Sequence, residues 1–283
     1  MTDAGRLVLV ATPIGNLGDL SPRAREVLAN ADVLCCEDTR RTRQLLAHAG
    51  LSGGRRLVSV HGHNEQARVG EVLARLEAGD TVALVSDAGT PAVSDPGARL
   101  VAAAAQAGIE VSVVPGPNAA LSALVVSGLP TDRFCFEGFL PRRGAGRRRS
   151  LEALAVERRT VVVYETAPRL AATLADLSQA CGPHRRVVVA RELTKLHEEI
   201  WRGRLEEAAG EFAGAEVRGE LVIVLEGAPP TSGPGDEEVR RALADERESG
   251  HSLRDAADAV SSSLGLSRRR VYELGLSVWN ARR

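Results

Sequence analysis

The chain has 283 residues, 44% of them apolar and only 3% aromatic, and a net charge of -1. That is enough for two domains with sizeable cores, and it excludes a global basic field, so any nucleic-acid surface has to be local. Of the four cysteines, Cys35 and Cys36 are adjacent and no CxxC spacing occurs, which argues against a disulfide framework or structural zinc and for a reducing cytoplasm.

No stretch reaches the roughly 18 apolar residues of a membrane span, and an apolar leader core is absent, so neither membrane insertion nor export is expected. Residues 7–11 form an apolar run that ends in Thr12-Pro13-Ile14-Gly15-Asn16-Leu17-Gly18-Asp19, followed by a helix from about Ser21-Pro22. Strand, glycine-bearing loop and helix together bring backbone N–H groups to a ligand, although the loop matches neither GxGxxG nor a Walker motif. Residues 31–36 are the second predicted strand, ending in Glu37-Asp38-Thr39-Arg40, which is either a site or a helix start with acids in its first turn. A third strand, 57–60, leads into His61-Gly62-His63-Asn64-Glu65. Extended spacing would set His61, His63 and Glu65 on one face as a metal site does, but Asn64 capping a helix over 65–77 is the simpler reading, and no metal is assigned.

The fourth strand, 81–85, carries the central motif, Ser86-Asp87-Ala88-Gly89-Thr90-Pro91, with Asp95-Pro96-Gly97 opening an alanine-rich helix. Ligands of open α/β sheets bind beyond the carboxyl ends of strands, where Asp87 stands, and small residues permit close backbone approach. With a fifth strand at 111–114, the first half alternates β and α as a parallel-sheet domain does. Pro115-Gly116-Pro117-Asn118-Ala119-Ala120 is a stiff turn into a small-residue helix and the expected interdomain connector. A second α/β unit has strands at 134–138, 160–164, 186–190 and 221–225. Between the first two lies a cationic stretch, Arg142, Arg143, Arg147, Arg148 and Arg149 with interspersed glycines, expected to be a mobile loop contacting phosphates. A Pro/Gly/Ser-rich linker then leads to three short helices with a helix-turn-helix rhythm and a second basic cluster, Arg268-Arg269-Arg270. The expected organisation is 1–115, 116–228 and 236–283.

Taken in order, the motifs 10–19, 36–40, 63–65, 85–91, 115–119, Gly138-Phe139-Leu140-Pro141, Tyr164-Glu165 and Ala190-Arg191-Glu192-Leu193-Thr194-Lys195 closely resemble those of the ribosomal RNA small subunit methyltransferase I family. These are 16S rRNA (cytidine-2'-O)-methyltransferases within the tetrapyrrole-methylase superfamily. The resemblance spans nearly the whole chain. It implies two α/β domains of class III methyltransferase type with S-adenosylmethionine in the cleft between them, a helical tail and a homodimer acting on 16S rRNA, within the small ribosomal subunit. Carried over position by position, the cofactor contacts would be Pro13 and Gly15 in the first loop, Ser86, Asp87, Ala88, Gly89 and Thr90, then Asn118, Ala119, Glu165 and the strand near Val222.

Methylating a ribose hydroxyl is an in-line displacement that needs alignment and a proton acceptor but no metal. Bases near strand ends are Glu37, Asp38, His61, Glu65, Glu192 and Lys195, the last if its pKa were depressed beside Arg191. Three rival readings stand beside this one. A tetrapyrrole methylase would not need the arginine stretch, and a non-catalytic RNA-binding module would not need the small-residue loops. A thiol enzyme would use Cys35 or Cys36, which fall inside a buried strand.

Overall fold

The computed structural model describes residues 5–51, 56–230 and 234–280. Its first half consists of β1 (Arg6–Val10), α1 (Pro22–Asn30), β2 (Val33–Cys36), α2 (Thr39–His48), β3 (Arg56–Ser59), α3 (Glu65–Glu77), β4 (Thr81–Val85), α4 (Ala98–Gln106) and β5 (Glu110–Val114). All five strands are parallel in the order β3-β2-β4-β1-β5. Burial on both faces explains the unbroken apolar runs, since β2 is buried at every position. Leu7, Leu84, Leu76 and Leu100 pack one face, and Leu28, Leu34 and Val85 the other.

The second half has α5 (Ala119–Ser127), β6 (Phe134–Phe139), α6 (Gly144–Val156), β7 (Thr160–Thr166), α7 (Leu170–Cys181), β8 (Arg186–Arg191), β9 (Glu199–Arg204), α8 (Leu205–Glu211) and β10 (Glu220–Leu225). Its sheet runs β6-β7-β10-β8-β9, with only the β6–β7 pair parallel. Helix α5 packs on this sheet through Ala120, Ala123 and Leu124. The edge strand β9 is an addition to the four strands expected, because three of its six residues are charged and none is fully buried.

A larger difference concerns the arginine stretch: Arg142 and Arg143 lie in the bend before α6, but Arg147, Arg148 and Arg149 fall in its first turns rather than in a loop. Arg147 is buried. Its guanidinium pairs with Asp176 of α7 at 2.7 Å, donates to the Pro141 carbonyl at 3.1 Å and to the Thr173 hydroxyl at 3.0 Å. It is therefore committed to holding α6 on α7, whereas Arg142, Arg143, Arg148 and Arg149 are exposed.

Two compact units divide the chain, residues 1–228 and 229–283. The second contains α9 (Asp236–Glu248), α10 (Leu253–Leu264) and α11 (Arg268–Asn280) around a core of Val239, Leu243, Ala256, Val260 and Val271. Residues 231–233 of the expected linker lie outside the described residues.

Candidate functional site

The loops after β1 and β4 are sewn together. Thr12 and Gly89 exchange backbone hydrogen bonds of 2.9 and 3.0 Å, and the Thr12 hydroxyl reaches the Ser86 carbonyl. Gly89 has φ of 81°, a left-handed conformation that a side chain would strain. Thr90 donates to the Pro117 carbonyl and accepts from the Asn118 amide, whose oxygen caps α5 at Leu121. Asp87 accepts from the Asp38 backbone N–H at 3.1 Å and faces Arg41 at 3.5 Å, tying the end of β4 to the end of β2. Backbone polar groups at four strand ends are thus fixed around one opening.

That opening is a cavity of about 520 Å³ between the two sheets. Asp87, Ala88, Gly89, Thr90, Asn118, Ala119, Glu165 and Val222 all line it, as does Glu37. Three of the expected cofactor contacts do not. Pro13 and Ser86 line a neighbouring hollow of about 400 Å³, which shares Arg41 and Asp87 with the first. Gly15 faces away, and a Cβ there would run into Lys195 and Thr194. In its place Ile14 reaches the wall.

Most of the expected bases have other duties. Glu65 is buried and reaches across to the start of α4, where one oxygen accepts from the N–H groups of Gly97 at 3.0 Å and Arg99 at 2.9 Å. It is a helix cap supplied from another element. Asn64 does not cap α3; its side chain bridges the His61 N–H and the Ser59 carbonyl. Asp38 caps α2 and pairs with Arg40, which holds its carboxyl down at about 2. His61 and His63 meet edge to face at 6.1 Å, and neither lines the cavity. Among the described residues no group of three His, Cys, Asp or Glu side chains is placed to hold a metal.

Lys195 lies between Glu192 at 2.7 Å and Glu220 at 3.0 Å. Burial works against its charge, but the two carboxylates more than offset this and its pKa lies above the usual lysine value. The depressed lysine expected from sequence is corrected accordingly. Lys195 in turn holds Glu192 below the ordinary glutamate value, assisted by the Glu220 N–H. The thiols are equally unsuited to reaction: burial pushes Cys35 up to about 12 and raises Cys36 as well.

Other properties of the wall escaped sequence reading. Phe139 and Tyr164 bring aromatic surface, with ring centroids 5.6 Å apart. Glu165 has a fully buried side chain, held by the Thr173 hydroxyl at 2.6 Å, the Thr166 N–H at 2.8 Å and Arg169 at 3.3 Å. Asp95 stands beside Glu37 and Asp87, and burial first, then those two carboxylates, push it up to about 6 against a hydrogen bond from the Ser86 hydroxyl. Glu37 is also raised, by burial and Asp87, with Arg41 and His61 pulling the other way.

Two α/β sheets of this topology, meeting at a ligand-sized cavity built from strand ends, define the tetrapyrrole-methylase class, and residues 6–209 match the family of Tetrapyrrole (Corrin/Porphyrin) Methylases. A solved neighbour, uroporphyrin-III C-methyl transferase from Thermus thermophilus complexed with S-adenyl homocysteine, superposes with a TM-score of 0.55 at 26% identity, covering 78% of this chain and 97% of that one. Ribosomal RNA small subunit methyltransferase I of Synechocystis sp. is 46% identical over 276 residues, 97% of this chain and 98% of the relative. The Thermotoga maritima protein of that name is 46% identical over 223 residues, which are 79% of this chain but 99% of the relative. The chain belongs to the ribosomal RNA small subunit methyltransferase I family and is a methyltransferase.

Proposed function

We propose that this chain transfers a methyl group from S-adenosylmethionine to the ribose 2'-hydroxyl of a cytidine in the decoding region of 16S rRNA. In this reading the substrate is rRNA within the small ribosomal subunit, and the enzyme is a cytoplasmic homodimer. The observation that carries it is the character of the cavity: Glu37, Asp87 and Asp95 make one wall anionic, while Phe139 and Tyr164 line it with aromatic surface. Its volume falls within the range of cofactor sites, and a sulfonium cation bearing an adenine matches both kinds of surface. When bound, S-adenosylmethionine supplies a methyl group made electrophilic by the sulfonium.

The chain's own residues do the rest. The fixed backbone of 87–90 and Asn118 would hold the cofactor, with Glu165 locked by Thr173 and Arg169 as a hydrogen-bond acceptor. Exposed Arg142, Arg143, Arg148 and Arg149 would follow the RNA backbone as point charges. For the dimer, the support is α5, apolar all round, whose Leu121 and Val125 stand exposed one turn apart. No described helix is long and apolar enough to cross a membrane. A carboxylate-bearing tetrapyrrole fits less well, because the anionic wall repels it.

The test offers labelled cofactor to the protein with small subunits lacking the modification, free 16S rRNA and a tetrapyrrole in parallel. Label in the small-subunit RNA supports the reading. Label in the macrocycle alone overturns it.

A further inference from the structure

Five carboxylates among the described residues line the cavity: Glu37, Asp87, Asp95, Glu165 and Glu220. Three of them are committed to partners. Asp87 holds the Asp38 N–H and Arg41, Glu165 holds Thr173 and Arg169, and Glu220 holds Lys195. Of the two that remain, Glu37 still faces Arg41 and His61. Asp95 faces Glu37, Asp87 and the Ser86 hydroxyl, with Tyr164 of the second sheet opposite, and has no ion pair among the described residues.

We propose that Asp95 accepts the proton of the attacking ribose hydroxyl, an assignment that deepens the function proposed above and rests on it. A sugar hydroxyl attacks poorly until its proton has a destination, and acceptors work best when their pKa lies near the working pH. At about 6, Asp95 is ionised at neutral pH yet more basic than an ordinary aspartate. In the step, the O–H bond breaks and an O–C bond to the methyl forms. The carbon–sulfur bond breaks with its electron pair left on sulfur, and the proton passes to the Asp95 carboxylate and then to solvent.

The placement of Asp95 is also constrained. The segment that carries it has Ala92 and Ser94 at φ of 66° and 62°, in the left-handed region that side chains avoid. Gly138 of the second sheet, itself at φ of 61°, lies against Ser94, and a Cβ there would come within 3.0 Å of the Ser94 hydroxyl. Both halves of the cavity therefore fix where this carboxylate sits, as strained segments at functional sites require.

The experiment compares the full chain with Asp95→Asn, Asp95→Glu and Glu37→Gln on small subunits lacking the modification, across pH. Wild type should gain kcat/KM as pH rises through about 6. Asp95→Asn should lose that limb and about a hundredfold or more in rate. Asp95→Glu should recover part of the rate, and Glu37→Gln should keep the limb. Calorimetry with S-adenosylhomocysteine, whose sulfur is neutral, should give the same affinity for wild type and Asp95→Asn, which reports an intact cavity. Independently of any rate, the Asp95 carboxyl carbon should titrate at about 6 by NMR in the wild-type protein. An Asp95→Asn enzyme that keeps both rate and limb, or a limb lost in Glu37→Gln instead, overturns the assignment while leaving the proposed function standing. A wild-type enzyme that puts no methyl on ribose overturns both.

Discussion

At the end of β4 the Asp87 carboxylate has two fixed partners, the Asp38 N–H and Arg41, and still faces the cavity. Asp87→Ala should weaken S-adenosylmethionine binding by calorimetry while the circular dichroism spectrum stays native; unchanged affinity would assign Asp87 to strand-end bracing alone. Glu65 is the opposite case. Glu65→Ala leaves buried N–H groups at the start of α4 without an acceptor, which should cost about 2 kcal/mol in denaturant unfolding. Asp95 carries a pH signature. Its folded pKa of about 6 lies above the ordinary 3.8, so the folded state favours the protonated form. That contribution is fully present below about 3.8 and is lost as pH rises through about 6. Asp95→Asn should therefore raise the melting temperature at about pH 8 and leave it unchanged near pH 3.5. A mutant destabilised at the higher pH would contradict the burial that raises this group. Asp87 is legible in the sequence because its role follows from the strand in front of it and the glycine behind. Glu65 and Asp95 are not, because what defines them comes from distant parts of the chain: the start of α4 for one, and Glu37 for the other.

The arginines at the head of α6 divide into two kinds that composition cannot distinguish. Arg147→Ala should destabilise the protein by about 2 kcal/mol, since it leaves Asp176 without its cation and the Thr173 hydroxyl and Pro141 carbonyl without their donor. Replacing Arg142, Arg143, Arg148 and Arg149 together should leave the melting temperature nearly unchanged. Binding to single-stranded rRNA segments should weaken, and the log–log salt slope should flatten by about 0.7 for every phosphate no longer neutralised. An unchanged slope would return the four to ordinary solvated surface. The stretch reads as a loop because two glycines and five arginines give no apolar periodicity, and the ion pair that anchors it is with a residue 29 positions on. Strand β9 is hidden for a related reason, an edge position with three charged residues and no fully buried one. Strands buried on both faces, by contrast, announce themselves as short β-branched runs ending in turn residues, which is why the parallel sheet is legible throughout.

Residues 1–228 form one compact unit containing both sheets and every residue of the cavity wall. A chain ended at Ala228 should fold and bind S-adenosylmethionine as the full chain does. The separate unit 229–283 has its own small core and carries Arg268, Arg269 and Arg270, all engaged with nearby carboxylates. If that unit serves substrate engagement, the shortened protein should keep cofactor affinity and oligomeric mass but lose methyl transfer to small subunits. Loss of the oligomer or of soluble protein would make its role structural. The central claim concerns the atom methylated, and the chemistry of RNA gives a direct readout. A methyl on the 2'-oxygen blocks alkaline cleavage of the adjoining phosphodiester, so small subunits treated with labelled cofactor and this protein should release their label in one alkali-resistant dinucleotide that begins with cytidine. Label recovered instead in ordinary mononucleotides, on the base, would contradict the account.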